Sequence, residues 1–388
     1  MKIAFLGDWC LVNKDTPPEI KHEQLTRTLS SSDYVFANFE GAIPKMGAKP
    51  HPKVGPHLAQ NPHGISFLRE IGVTHGCLAN NHAYDYGAES LLETASSLEN
   101  GDITPLGYYD QKKNIDQTTI RLEMAETKVS IINACEHEFI ASADGETGCF
   151  GIDPIALHKR LVEEQAESAF VVLVLHGEIE HEQMPPPHLK RLAHWLIDSG
   201  ASAIITHHPH IPGFLDHYKG CPIVWSLGDF WMPPSTSKSK EWGYYGAAVS
   251  LNFVTPETPE VEMVPYKISR ESTRILPITQ EENDRMERNQ RELASIFNNP
   301  SAYTSYQDRL IKKFSERYIV NYSASMLPVK PFSLRKAVSK LIHTSNPSRL
   351  ARQLNGLRCE SHRYLWQEAL KGSIYDTKKP HQDQPQKT

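Results

Sequence analysis

What most constrains this chain is a recurring unit: a short apolar, β-rich run that ends at once in residues able to bind a metal or move a proton. Such runs occupy 3–6, 34–37, 73–79, 129–133, 170–175, 203–205 and 223–225. They are followed, in turn, by Gly7-Asp8, Asn38-Phe39-Glu40-Gly41, Asn80-Asn81-His82, Cys135-Glu136-His137, His176-Gly177-Glu178, Thr206-His207-His208-Pro209-His210 and Ser226-Leu227-Gly228-Asp229. Continuous apolar runs of this length suit strands buried on both faces. Helical spacing fills the gaps at 22–29, 63–71, 88–98, 155–166 and 188–198. Strands alternating with helices predict a layered α/β fold, in which ligands bind beyond the carboxyl ends of the strands.

Composition narrows the function classes. With 39% hydrophobic and 22% charged residues, the chain reads as globular. A net charge of -5 gives no global pull toward nucleic acid or anionic membrane. The longest apolar run, 170–175, is strand-sized and far short of a membrane span. The opening 1–6 meets Gly7-Asp8 too soon for a signal peptide, so a cytoplasmic protein is expected. None of the six cysteines forms a CxxC pair, which leaves reduced thiols as the expectation.

Three regions are expected. Residues 1–272 hold the α/β pattern and close with antiparallel strands at 247–253 and 261–268. Residues 273–370 read as a helical extension, with charged amphipathic helices at 281–297 and 309–320 and a basic stretch at 334–370. Residues 371–388 are polar and read as a disordered tail.

Six of the strand-end residues, Asp8, Glu40, Asn81, His176, His208 and His210, form a mixed oxygen and nitrogen donor set. Hard cations want carboxylate oxygens, and imidazole suits zinc, iron and manganese. A two-metal hydrolytic site needs a bridging carboxylate and terminal ligands on each ion. The Pro-rich stretch with Lys49, His51, Lys53, His57 and His63 reads either as an anion-binding loop or as a solvated one.

Taken in order, Gly7-Asp8, Asn38-Phe39-Glu40-Gly41, Leu78-Ala79-Asn80-Asn81-His82-Ala83-Tyr84-Asp85-Tyr86-Gly87, His176-Gly177-Glu178, His207-His208-Pro209-His210 and Ser226-Leu227-Gly228-Asp229-Phe230 resemble the CapA/PgsA family. These are capsule and poly-γ-glutamate synthesis proteins with a calcineurin-like metallophosphatase fold, and the resemblance covers about residues 1–270. It implies a four-layer α/β/β/α sandwich with two divalent metal ions, manganese, iron or zinc. Asp8 would be the first ligand, Glu40 the bridging carboxylate, and Asn81, His176 and His208 the ligands of the second ion. His210 would return to the first. His82 would face substrate as the general acid, and Asp85 would orient it and favour the imidazolium form.

The sequence departs from the family at two places. Asp8-Trp9-Cys10 lacks the histidine of an Asp-x-His motif, so Cys10 is either a thiolate ligand or a small buried residue. Gly228-Asp229-Phe230 stands where Gly-Asn-Phe is usual. The resemblance implies a phosphoesterase of capsule or exopolysaccharide synthesis, acting on an anionic small molecule or polymer. The alternatives are a metal-binding accessory subunit of a polymer synthase without turnover and a metal-dependent amide hydrolase.

Overall fold

Strand β1 (Lys2–Trp9) organises the molecule, because seven of its eight residues are buried and it is paired on both sides. In this computed structural model residues 1–12, 15–53, 55–141, 145–233, 242–254, 258–323, 355 and 357–375 are described. After β1 come β2 (Glu19–Ile20), α1 (Glu23–Ser30), β3 (Tyr34–Phe39), α2 (His63–Glu70), β4 (His75–Cys77), α3 (Ala88–Asn100) and β5 (Thr104–Leu106). Then follow β6 (Tyr108–Asp110), β7 (Ile115–Gln117), β8 (Thr119–Met124), β9 (Thr127–Cys135), β10 (Thr147–Cys149), α4 (Pro154–Gln165), β11 (Phe170–His176) and α5 (Pro187–Asp198). The sheets are completed by β12 (Ala203–His207), β13 (Pro212–Tyr218), β14 (Cys221–Leu227), β15 (Asp229–Trp231), β16 (Tyr245–Asn252), β17 (Glu260–Ser269) and β18 (Arg274–Pro277). Helices α6 (Gln280–Asn298), α7 (Pro300–Ser323) and α8 (Glu360–Tyr375) come last.

Two large sheets form the middle layers. One runs β2-β18-β17-β16-β1-β3-β4-β5, with β15 also paired to β1; the other runs β13-β14-β12-β11-β9-β8. Their facing sides share a core of Ile3, Phe5, Phe36, Ile131, Val172, Val174, Ile205 and Val224. The outer side of the first sheet packs Leu25, Leu68, Leu91 and Leu98 of α1, α2 and α3. The outer side of the second packs Leu157, Leu161, Leu189, Leu196, Leu293 and Phe297 of α4, α5 and α6. The result is the expected α/β/β/α sandwich. Both faces of the parallel strands are covered, which is why β11 is apolar along its length until His176.

The helices start where local chemistry dictates. Asp153 caps α4 ahead of Pro154, whose missing N–H costs nothing in a first turn. Thr279 and Glu282 form a capping box on α6. The run expected as a strand over 73–79 narrows to 75–77. Beyond it Leu78 N–H donates to Leu106 O and Asn80 N–H turns back to Leu78 O, so the chain leaves the sheet before the site residues.

The C-terminal helices lie on the second sheet's side. Phe297 of α6 is fully buried beside Phe214, Trp225 and Tyr303. In α7, Tyr303 Oη and Gln307 Nε2 donate to Pro185 O at 2.8 and 3.1 Å. Tyr364 of α8 donates to Gln307 at 3.3 Å. Residues 371–375 belong to α8; the remainder of the expected tail and most of the basic stretch fall outside the described residues. All six cysteines are unpaired. Among the described residues no helix is long and apolar enough to cross a membrane.

Candidate metal centre

The strand ends converge because of one irregularity in β1. Leu6 pairs with Ala37 and Asp8 with Asn38, so Gly7 is an extra residue in the β1–β3 ladder. Such a bulge re-aims the side chain that follows it. Only glycine fits there: a Cβ at position 7 would lie 2.0 Å from Gly228 O. Asp8 N–H donates to that same oxygen at 3.0 Å, which brings Asp8 into register with Asp229.

Asp8 sits at the centre of the cluster. Its Oδ1 accepts from Asn38 Nδ2 at 2.8 Å and lies 3.0 Å from His207 Nδ1. Its Oδ2 lies 3.3 Å from His210 Nδ1, which also meets Asp229 Oδ1 at 2.9 Å. The other nitrogen of His210 is 3.6 Å from Glu40 Oε1. On the far side, His176 Nε2 lies 3.1 Å from Asn81 Oδ1 and 3.2 Å from His208 Nδ1. Asn38 ties the halves together, reaching His176 Nδ1 at 3.2 Å. Asp8, Glu40 and Asn81 come from the first sheet's strand ends, and His176, His208 and His210 from the second's. His208 and His210 hold φ values of 104° and 60°, a backbone cost that persists only where surrounding structure enforces it.

All six residues expected as ligands therefore meet, and four of them, with Asp229, place ligand-type atoms in two compact groups. Asp8, His210 and Asp229 form one, and Asp8, Glu40 and His176 the other, each within 4.8 Å. Asp8 is the carboxylate common to both, a place the family resemblance gives to Glu40. Glu40 is 0% exposed and neither of its oxygens has a hydrogen-bond partner. Burial pushes its carboxyl well above the ordinary range, and the Asp8 and Asp229 charges add to this against His210. Burial likewise lifts Asp229 to about 6, against His210. For Asp8, burial is outweighed by the hydrogen bonds and charges of His207 and His210, which hold it well below the usual range. Burial would lower His210, but Glu40, Asp229 and Asp8 raise it well above its ordinary value. Three buried carboxylates close together, with two carboxylate oxygens orphaned, form a donor set that divalent cations suit. Carboxylate, amide and imidazole donors together match manganese, iron or zinc.

His82 stands beside this cluster, its Nε2 3.9 Å from Glu40 Oε1. Its Nδ1 is 2.8 Å from Asp85 Oδ2, the expected pairing. Two features differ from the sequence reading. His82 is buried, and Lys53 Nζ lies 3.0 Å from Nδ1 while forming a buried ion pair with Asp85. Burial first, then the Lys53 charge, pull His82 below its ordinary value despite Asp85, so the neutral ring is favoured over the imidazolium. Lys53 thus belongs to the site's interior, and its loop is strapped down: His51 N–H donates to Asp85 O at 2.7 Å and Leu58 N–H to Asp85 Oδ2 at 2.6 Å. Cys10 packs with Leu58 and Met232, and burial with the nearby Glu40 charge keeps its thiol protonated, the small-residue alternative.

Several neighbours were not singled out from the sequence. Asn38 and His207 lie inside motifs whose other members carried the signal. Glu138 accepts from Asn81 Nδ2 at 3.2 Å, and nothing in its local sequence announces this.

The model of a family described as "Bacterial capsule synthesis protein PGA_cap" matches residues 3–233, more than half of the chain. The "Capsule biosynthesis protein CapA" of Bacillus anthracis is 25% identical over 301 residues, covering 75% of this chain and 71% of that protein. The "PGA biosynthesis protein CapA" of Bacillus subtilis (strain 168) is 26% identical over 243 residues, covering 61% and 62%. Among solved structures, a novel phosphatase from Mycoplasma pneumoniae is similar at a TM-score of 0.42 and 15% identity, over 68% of this chain and 92% of that one.

Proposed function

Because the chain belongs to the bacterial capsule synthesis protein family PGA_cap, we propose that it is a metal-dependent hydrolase of phosphoesters that serves capsule or poly-γ-glutamate synthesis. The observation that carries this reading is Glu40: a fully buried carboxylate, both oxygens unpaired, ringed by ligand-type side chains. Two divalent ions, when bound, would supply a polarised phosphoryl oxygen and an activated water. Asp8, Glu40, Asn81, His176, His208 and His210 would hold them, with Asp229 joining Asp8 and His210. Asn38 and His207 would fix the Asp8 carboxylate by its Oδ1, leaving Oδ2 toward His210.

His82 handles the proton. In the tautomer that carries its hydrogen on Nδ1, the ring donates to Asp85, and Nε2 is then the exchangeable position, facing the cluster. Lys53 neutralises Asp85 and keeps that pair oriented. Nε2 of the neutral ring would first take up a proton from solvent, and a leaving-group oxygen next to Glu40 would lie within reach of Nε2 and take that proton, returning the ring to its neutral form.

A second reading, an accessory subunit of a polymer synthase that binds metal without turnover, draws on the names of the two relatives, both of which refer to biosynthesis. One experiment separates them. The purified protein is analysed for bound metal, reconstituted with Mn²⁺ and screened against phosphoesters and amides. Metal with phosphoester turnover supports the hydrolase; metal without any turnover favours the accessory subunit; turnover of amides alone moves the reaction class.

A further inference from the structure

The C-terminal part of the chain lies beyond the residues that the family model matches, yet it returns to the rim of the metal centre. The three residues after β9 are each held by it. Glu136 accepts from Ser361 N–H at 3.0 Å, Ser361 Oγ at 2.8 Å and Cys359 Sγ at 3.2 Å. His137 gives its backbone N–H to Glu360 Oε2 at 3.0 Å, and its ring Nδ1 lies 2.9 Å from Glu360 Oε1. Glu138 Oε1 accepts from Asn355 Nδ2 at 2.7 Å. The other oxygen of Glu138 accepts from Asn81 Nδ2 at 3.2 Å, and Asn81 Oδ1 then faces His176 Nε2 at 3.1 Å.

This chain of bonds has a direction. A carboxylate only accepts, so the side of Asn81 that meets Glu138 must be its NH₂. The amide oxygen is thereby turned toward the imidazoles, which is the orientation a cation needs. Asn355 is buried and occupies the remaining Glu138 oxygen, which prevents that carboxylate from swinging away. We propose that Glu138 and Asn355 are positioning residues for Asn81, so that docking of the C-terminal segment on residues 136–138 and binding of a divalent ion at Asn81 favour one another. The inference rests on the metal reading above. Coupling of this kind is reciprocal: whatever fraction of affinity the docked segment lends to the ion, the ion lends to docking.

The test uses the full chain and Mn²⁺ alone as the probe. Glu138→Gln keeps the shape but removes the charge and sets an NH₂ against the NH₂ of Asn81 or of Asn355, so the chain of bonds that fixes Asn81 loses a link at one end or the other. Partners of metal ligands typically contribute 10–100-fold in affinity. Glu138→Gln is expected to weaken Mn²⁺ binding by about 10–100-fold, and Asn355→Leu, which only frees Glu138, in the same direction but by less. In the wild type, Mn²⁺ is expected to slow protease cleavage between the α7 and α8 helices, and in Glu138→Gln to leave it unchanged. A wild-type chain that takes up no Mn²⁺ overturns the metal reading and this inference together. Equal Mn²⁺ affinity in wild type and both variants, even with lowered thermal stability, overturns this inference alone. So does cleavage that Mn²⁺ does not slow in the wild type.

Discussion

Replacing Glu40 by Gln is the sharpest single perturbation of the centre, because it separates a metal ligand from a structural residue by the sign of the effect. Most substitutions of a residue at 0% exposure destabilise. Here the wild-type carboxyl already has both oxygens unpaired, with ring nitrogens of His210 and His82 at 3.6 and 3.9 Å. An uncompensated buried carboxylate costs several kcal/mol, which is why burial holds this carboxyl well above its ordinary range and favours the neutral, unpaired acid in the metal-free chain. The amide in its place leaves neutral groups unpaired, at about 1–3 kcal/mol. The metal-free variant is therefore expected to melt within a few degrees of the wild type or above it. Saturating metal tells the other half. At 100 times Kd, one ion adds about 2.7 kcal/mol of stability, which for a body of this size is about 3 °C. The assay is thermal melting after chelation, then along a Mn²⁺ titration, with the exposed Glu126→Gln as control. The expected result is a rise of about 3 °C in wild type and control and under 1 °C in Glu40→Gln. A variant that keeps the full rise, or that loses more than about 5 °C without metal, refutes the argument.

Three further outcomes follow from other parts of the molecule. His82→Ala should keep its metal content and lose about 10²–10⁴-fold in turnover on esters with poor leaving groups, and little on activated ones; loss of metal would make His82 a ligand instead. His75, stacked on Phe36 at 4.4 Å, is pushed down to about 4 by burial. The unfolded chain takes up that proton near 6.5 and the folded one only near 4, so stability present above 6.5 falls as pH drops through this window, by about 2 kcal/mol between pH 7 and 5. Denaturant melts of His75→Phe should lack that increment, and an identical pH slope in both proteins would show the imidazole to be solvated. Phe297→Ala removes the ring between Phe214, Trp225 and Tyr303 and should cost about 3–5 kcal/mol in urea unfolding; a loss under about 1 kcal/mol would mean that α6 does not pack on the second sheet as described.

The layers and the convergence of the candidate ligands were legible in the sequence for one physical reason. A strand buried on both faces must be apolar throughout, so the first polar residue after it marks where it leaves the core, and Asp8, His176 and His207 stand at such points. What was hidden depends on encounters between distant positions. Lys53 is 29 residues from His82, and Asn355 is 217 from Glu138. Each looks locally like a surface group, since lysine and asparagine in polar stretches usually are. The protonation of His82 was misjudged for the same reason: Asp85 is one turn away and visible, whereas burial and Lys53 are not. The left-handed backbone at His208 and His210 also has no sequence mark, because histidine carries no preference strong enough to announce it.

The centre draws its side chains from the ends of both sheets, and Asp8 meets His207 across 199 positions of chain. Contacts so remote along the chain close only after each sheet has formed and the two have stacked, since loop entropy must be overcome before they give anything back. Whatever strengthens them acts downstream of the folding barrier. An occupied centre should then hold the two sheets together like a rivet: it slows escape from the native state and leaves the speed of reaching it unchanged. The lifetime of the folded chain, more than its rate of formation, is what this arrangement governs.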